Sequence, residues 1–270
     1  MDLTQALEIA SCTDPGMVRS HNEDSIASDA PSGLVVLADG MGGYNAGEVA
    51  SGIATTVITT ELKKLFAKIR PFDIDPETNA PVASRMVREQ VKKANTSIFQ
   101  AAQSQPQYAG MGTTLVVGLF YDNKILVAHL GDSRLYRLRG DDFRQITRDH
   151  SLLQEQIDAG LITPEQAAFS SNKNLVTRAV GVEDTVLLET HLHEVQPGDV
   201  ILMCSDGLSD MLDDTGIAQV LQMHETLAAA GKALVEAAND AGGKDNISLI
   251  LVRAAGGAPA AMRSWWPFRR

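Results

Sequence analysis

Three aspartates in this chain each close an apolar run. Asp39 ends the run in LVVLADGMGG, Asp132 follows the run in KILVAHLGDSRLYRL, and Asp206 follows the run in DVILMCSDGLSD. A single Asp-Gly pair after such a run is ordinarily a turn that ends a strand. Recurrence changes that reading, because strands ending at one edge of a sheet would bring the three carboxylates together. Asp245, in GGKDNISLILV, precedes an apolar run and would join them from a strand of opposite direction. Two carboxylates about 5 Å apart repel by roughly 3 kcal/mol at an effective dielectric near 20, so several in one place require protons or cations. At neutral pH this points to divalent ions, and an all-oxygen ligand set favours Mg2+ or Mn2+ over zinc. A further segment, DPGMVRSHNEDS, sets Arg19 ahead of Glu23 and Asp24. A planar guanidinium matches phosphate oxygens, although taken alone this stretch is only a charged loop.

The elements that would position these residues can be read from periodicity. Short apolar and β-branched runs predict strands over 34–38, 113–120, 124–130, 134–138, 186–192, 200–204 and 247–253. The YDNK turn predicts a hairpin between the second and third, and the GDS link predicts antiparallel pairing of the third with the fourth. Two longer segments carry helical spacing. Over 46–69, Val49, Ile53 and Val57 share a face, and over 81–103 Val87, Val91, Ala94 and Ile98 do. RPFDIDPETNA is their connecting loop, and 208–241 reads as two further helices. The stretch from 151, with its polar SSNKN break, predicts a surface flap that is the most mobile large element. The expected fold class is α+β, a central antiparallel β-sandwich flanked by helix pairs, with a flap subdomain.

Composition narrows the function. A chain of 270 residues with 44% hydrophobic content can form one domain, here placed at 1–254 and followed by a Gly/Ala/Pro and Trp/Arg-rich tail over 255–270. Lys plus Arg (23) against Asp plus Glu (34) gives a net charge of -11, which disfavours a nucleic-acid partner and suits a protein that gathers cations. Cys12 and Cys204 support neither a disulfide framework nor a thiolate zinc site. MDLTQALEIASC lacks the basic-then-apolar order of a secretory signal, and no run has the length of a membrane span. A cytoplasmic monomer is therefore expected. Membrane contact is expected only through the tail, where Trp265, Trp266 and Phe268 accompany Arg263, Arg269 and Arg270.

Seven segments taken in order, DPGMVRSHNEDS, VLADGMGGYNAGEVAS, GMGTTLVVG, AHLGDSRLYRLR, ITRDHSL, ILMCSDGLSDML and GGKDNISLILV, resemble the signatures of the metal-dependent serine/threonine protein phosphatases, the type-2C or PPM family. The resemblance runs from about residue 8 to 254, and the short loops resemble the bacterial branch. It implies a metal centre at one sandwich edge holding two to three Mn2+ or Mg2+ ions. By resemblance Asp39 bridges two ions, Asp206 and Asp245 complete the first ion's ligands, and the Gly40 carbonyl joins Asp39 at the second. Asp132 and Asp206 hold a third ion, Glu23 and Asp24 act through water, Asn246 lies around the centre, and Arg19 binds phosphate. The implied activity is hydrolysis of phosphoserine and phosphothreonine in phosphoproteins through a metal-activated water, opposing a bacterial serine/threonine kinase. The alternatives are a catalytically silent phosphoprotein-binding module, or a phosphatase dedicated to one small regulatory protein. Two positions depart from the family pattern. Met41 stands where animal members carry a histidine, and FSSNKN stands where bacterial relatives carry a histidine-proline pair. His21 and His150 read as loop or packing residues.

Overall fold

Side-chain alternation along the strands decides how this chain layers. The computed structural model describes residues 2–43, 45–76, 79–163, 166–167, 170 and 175–255. Its strands are β1 (Leu7–Asp14), β2 (Asp24–Asp29), β3 (Leu34–Met41), β4 (Gly112–Thr113), β5 (Leu115–Tyr121), β6 (Lys124–Leu130), β7 (Arg134–Arg139), β8 (Asp142–Gln145), β9 (Glu189–Glu194), β10 (Val200–Cys204) and β11 (Ile247–Ala254). One sheet has the order β1-β11-β10-β7-β8 and the other β2-β3-β5-β6-β9, with β4 paired to β3. The facing sides meet through Val35, Leu37, Val116 and Val127 on one sheet and Leu135, Ile201, Met203 and Ile250 on the other.

Alternate residues of the same strands point outward and are covered by helices. Val36, Ala38, Val117 and Ala128 lie under α1 (Ala46–Phe66) and α2 (Val82–Ser104). After α3 (Leu152–Asp158) and the single turn α4 (Asp206–Ser209), α5 (Asp214–Met223) and α6 (Leu227–Asp240) cover Leu202, Leu249 and Leu251 on the other sheet. Strands buried on both faces read as unbroken apolar runs, which is why β3, β5, β6, β10 and β11 were legible. The expected α+β sandwich with flanking helix pairs is the fold observed.

Three expectations need correction. The GDS link does not close a hairpin, because β6 and β7 belong to different sheets. Gly131, at φ +98°, turns the chain across the sandwich edge, where an added Cβ would come within 2.7 Å of Thr114. On α1 the fully buried stripe is Ala46, Ala50, Ala54, Ile58 and Leu62, while Val49, Ile53 and Val57 are only partly buried. Small residues win that face because they let the helix lie close on β3, whereas on α2 the expected Val87, Val91, Ala94 and Ile98 are all fully buried. The strand expected over 186–192 is β9, displaced to Glu189–Glu194, and β1, β2 and β8 had no clear signal. The expected tail falls almost wholly on 256–270, outside the described residues, as does most of the FSSNKN break. Among the described residues, no helix is long and apolar enough to cross a membrane.

The β5–β6 hairpin closes as expected, with Tyr121 paired to Lys124 and the two turn residues Asp122 and Asn123 at φ 45° and 56°. Asn123→Val should lower stability by ~1–2 kcal/mol, because a β-branched residue resists the left-handed region that asparagine tolerates. Asn123→Gly should stay within a few tenths of wild type, and urea unfolding of both variants measures the difference.

Candidate metal centre

Asp39 sits near the end of β3, in register with Asp24 on β2. Its backbone is pinned from two directions. Its N–H donates to Thr114 Oγ1 (3.0 Å), and its carbonyl accepts from Thr113 Oγ1 (2.8 Å) and from the Thr114 N–H (2.8 Å). Next to it, the Gly40 N–H donates to the Glu23 carbonyl at 3.1 Å, and Ser51 Oγ of α1 donates to the same carbonyl at 2.6 Å. A Cβ on Gly40 would lie 2.1 Å from the Gly47 carbonyl oxygen. Glycine is therefore required so that the first turn of α1 can rest on β3. Burial pushes the Glu23 carboxyl above its usual range, and the N–H groups of Gly47 and Glu48, at the helix N-terminus, offset only part of that rise.

The other half of the site comes from β10 and β11. Asp206 opens α4 with one residue between it and the end of β10, and a Cβ on the adjacent Gly207 would come 2.1 Å from the Asn246 carbonyl oxygen. Ser205 Oγ donates to Asp24 Oδ2 at 2.9 Å, joining the two sheets at this edge. Asn246 holds the loop that carries Arg19. Its Nδ2 donates to the carbonyls of Pro15 (3.0 Å) and His21 (2.8 Å), while its Oδ1 accepts from the Glu23 N–H (2.8 Å). Arg19, about half exposed, reaches across to Asp245 Oδ2 at 2.7 Å.

The residues singled out in the sequence, Arg19, Glu23, Asp24, Asp39, Gly40, Asp132, Asp206, Asp245 and Asn246, thus converge on one edge of the sandwich. Their charges oppose one another. Burial, then the charges of Asp24, Asp206, Asp132 and Asp245, push the Asp39 carboxyl well above the usual range. Burial, then Asp132, Asp245, Asp210 and Asp24, does the same to Asp206. Asp24 is raised to about 7 by burial, although hydroxyls of Ser248 and Ser205 favour its charge, and Asp132 is raised to about 6 by burial and Asp149. Glu23 Oε1 and Asp24 Oδ1 are buried without a hydrogen-bond partner. Crowded carboxylates with idle oxygens and no His or Cys donor fit hard divalent cations, which neutralise the charge and occupy the free lone pairs.

Asp210 escaped the sequence reading, yet its charge acts on both Asp206 and Asp132. Its spacing of four residues from Asp206, at the start of a helical turn, was the available signal. Met41, in register with Gly112, packs over it. His150 is buried and bonds to Gly131 and Glu189, as a packing histidine would.

Known proteins resemble this chain in sequence and in fold. The sequence model of the family Protein phosphatase 2C matches residues 18–247. The serine/threonine phosphatase stp of Listeria monocytogenes is 35% identical over 243 residues, covering 89% of this chain and 93% of that protein. The crystal structure of the serine/threonine phosphatase Stp1 from Staphylococcus aureus superposes with a TM-score of 0.83 at 34% identity, over 95% of this chain and 98% of that one. That of the catalytic domain of the serine/threonine protein phosphatase PstP in complex with two manganese ions gives a TM-score of 0.79 at 36% identity, over 92% and 98% of the two chains.

A carboxyl whose pKa is higher in the folded protein than in the unfolded chain supports folding only while it is protonated. For Asp24 that support is complete below about pH 4 and is lost as pH rises through about 7. In chelator, Asp24→Asn should therefore melt above wild type, with a gap that opens from about pH 4 and levels off above about pH 7. A plateau of ~5 °C corresponds to roughly 2 kcal/mol in a domain of this size. Thermal melts across pH measure the gap, and a gap independent of pH would contradict the electrostatic origin.

Proposed function

The chain belongs to the protein phosphatase 2C family, and on that premise we propose how its own residues divide the work of the reaction. It is a metal-dependent serine/threonine protein phosphatase that hydrolyses phosphoserine and phosphothreonine in phosphoproteins. The observation that carries the assignment of its residues is the crowding of the buried Asp39, Asp24, Asp206 and Asp132 at one sandwich edge, where burial first and neighbouring carboxylates second push all four carboxyls up. Asp39, Asp206, Asp245 and the Gly40 carbonyl would together hold two divalent ions, with Asp39 the central ligand of the set. Asp132 and Asp206 would hold a third ion, and Glu23 and Asp24 would contribute from around the site. When bound, the manganese or magnesium ions supply Lewis acidity toward the phosphoryl oxygens and an activated water nucleophile.

The protein's part is placement and charge. Arg19 offers several N–H donors and engages Asp245 through one nitrogen, so its fork remains available to phosphoryl oxygens. Charges of Asp245, Glu23 and Asp206 keep the guanidinium firmly protonated, with the hydrogen bond to Asp245 the largest influence. Asn246 sets the height of the Arg19 loop above the carboxylates through its three bonds to Pro15, His21 and Glu23. The thioether of Met41 carries no transferable proton, so protonation of the leaving serine or threonine oxygen falls to another group of the site. The physiological setting that fits this chemistry is the cytoplasm, as a monomer opposing a serine/threonine kinase.

Asp39→Asn should lower turnover of a phosphothreonine peptide at least ~10^3-fold, as loss of a principal electrostatic group does. The same variant should melt at or above wild type in chelator at pH 8, since one buried like charge is gone. Turnover within a few-fold of wild type would defeat the assignment of Asp39. Arg19→Ala should raise KM for the peptide and weaken inhibition by inorganic phosphate, while calorimetric Mn2+ binding is not weakened, because Asp245 loses a competitor for its Oδ2. Phosphate release with Mn2+, with Mg2+ and in chelator measures the dependence on metal.

A further inference from the structure

Asp132 stands on a corner, where the chain leaves one sheet for the other, and a corner of this kind needs an external hold. Ser133 supplies part of it, with its hydroxyl 2.7 Å from Thr114 Oγ1. The larger part comes from His150, which grips Gly131 twice. The His150 N–H donates to the Gly131 carbonyl at 2.9 Å, and the Gly131 N–H donates to His150 Nδ1 at 3.2 Å. An N–H donor requires a lone pair, so Nδ1 is unprotonated and the imidazole proton sits on Nε2. There it meets Glu189 Oε2 at 3.0 Å. Burial raises the Glu189 carboxyl, but hydrogen bonds from His191 and His150 outweigh it and bring the pKa down to about 2. The acceptor therefore remains ionised.

The ring is confined on its flat side as well. His129, three residues before Asp132, stacks on it with centroids 4.8 Å apart and planes 10° from parallel, and its own Nε2 bonds to the Arg148 carbonyl at 2.9 Å. The backbone of His150 also anchors the segment that leaves after it and returns, since the Thr177 N–H donates to the His150 carbonyl at 2.8 Å and Ser151 bridges to Val176. One residue thus ties the Asp132 corner to the base of that segment and to the first residue of β9.

Ligand atoms of His129, His150 and Glu189 lie within 4.8 Å of one another, a spacing that could hold an ion. The bonding argues otherwise. With Nδ1 accepting from Gly131 and Nε2 carrying the proton, neutral His150 has no lone pair left for a metal. Only His129 Nδ1, buried without a hydrogen-bond partner, remains as an unused nitrogen of the pair.

We propose that His150, oriented by Glu189, is a positioning residue that fixes the Asp132 corner and thereby the affinity of the third divalent ion. The proposal rests on the assignment of Asp132 as a ligand of that ion. Asparagine in place of histidine puts an acceptor oxygen near Nδ1, whereas alanine removes the acceptor, so the two variants separate hydrogen bonding from mere bulk. Calorimetric titration of the metal-stripped enzyme with Mn2+ reads each binding event directly. His150→Ala should weaken the lowest-affinity event ~10-fold or more and leave the tighter pair intact, the scale on which groups that orient metal ligands act. His150→Asn should recover to within ~3-fold of wild type, given that the Gly131 bond is retained. On a phosphoserine peptide, kcat should follow the same order at limiting Mn2+ and converge at saturating Mn2+. Equal defects in the two variants, or an unchanged third event in His150→Ala, would overturn the proposal.

Should His150→Ala fail to fold, Glu189→Ala and Glu189→Gln take its place. Alanine should weaken the third event and glutamine, which keeps an acceptor oxygen for Nε2–H, should restore it; a wild-type isotherm for Glu189→Ala overturns the role of Glu189. Asp132→Ala separates the underlying assignment from this one. If it leaves every Mn2+ event intact, Asp132 is not a ligand and the assignment itself fails; if it removes the weak event while His150→Ala does not, only the positioning role fails.

Discussion

Repulsion among carboxylates is the constraint on which this structure turns. Asp39, Asp24, Asp206, Asp132 and Asp245 occupy one edge of the sandwich, and a free chain would separate them at once. What prevents separation is distant from the charges themselves. The three apolar layers, one between the sheets and one beneath each helix pair, hold the strands in fixed register, and the register delivers the aspartates. Hydrophobic burial acts without direction. Direction comes from a small set of hydroxyls and one amide at the edge, Thr113, Thr114, Ser205 and Asn246, each bonded to backbone or carboxylate of the site. The core supplies the force and these few polar groups convert it into geometry.

How much of this was legible depended on where each element lies. The inner strands announced themselves through unbroken apolar runs, and the aspartates at their ends followed from those runs. Each of the four edge strands was missed or displaced: β1, β2 and β8 gave no clear signal, and β9 began three residues later than expected. An edge strand has one neighbour and meets water along its other side, so Ser, Thr, Asp and Glu are at home in it and the apolar signal is diluted. The same dilution hid the polar scaffold. Asn246 was noted as lying around the centre, but no local pattern shows that its amide reaches Pro15 and His21, more than two hundred residues away in sequence. His150 was read as a packing residue, and only the fold shows what it packs and bonds.

Gly40 illustrates a related limit. Its place beside Asp39 suggested a carbonyl kept clear for an ion, yet the structure supplies an independent reason for glycine in the backbone of Gly47 and Glu23, which any Cβ would strike. The two reasons are compatible, and the steric one is sufficient. The alanine stripe of α1 belongs to the same solution, because a helix that must touch β3 with its first turn cannot stand off from it along the rest of its length.

The bond between Arg19 and Asp245 has a consequence for the order in which the site fills. The guanidinium and Asp245 Oδ2 satisfy each other at 2.7 Å, while Asp245 Oδ1 accepts from the Asn246 N–H. Whatever cation draws on Oδ2 loosens its hold on Arg19, and whatever anion draws on Arg19 releases Oδ2. A partner shared in this way makes the two occupancies thermodynamically reciprocal: each must favour the other by the same factor. A cation at Asp245 and a phosphate at Arg19 would therefore act as cooperating ligands of a single switchable contact, and the loss of one would relax the hold on the other.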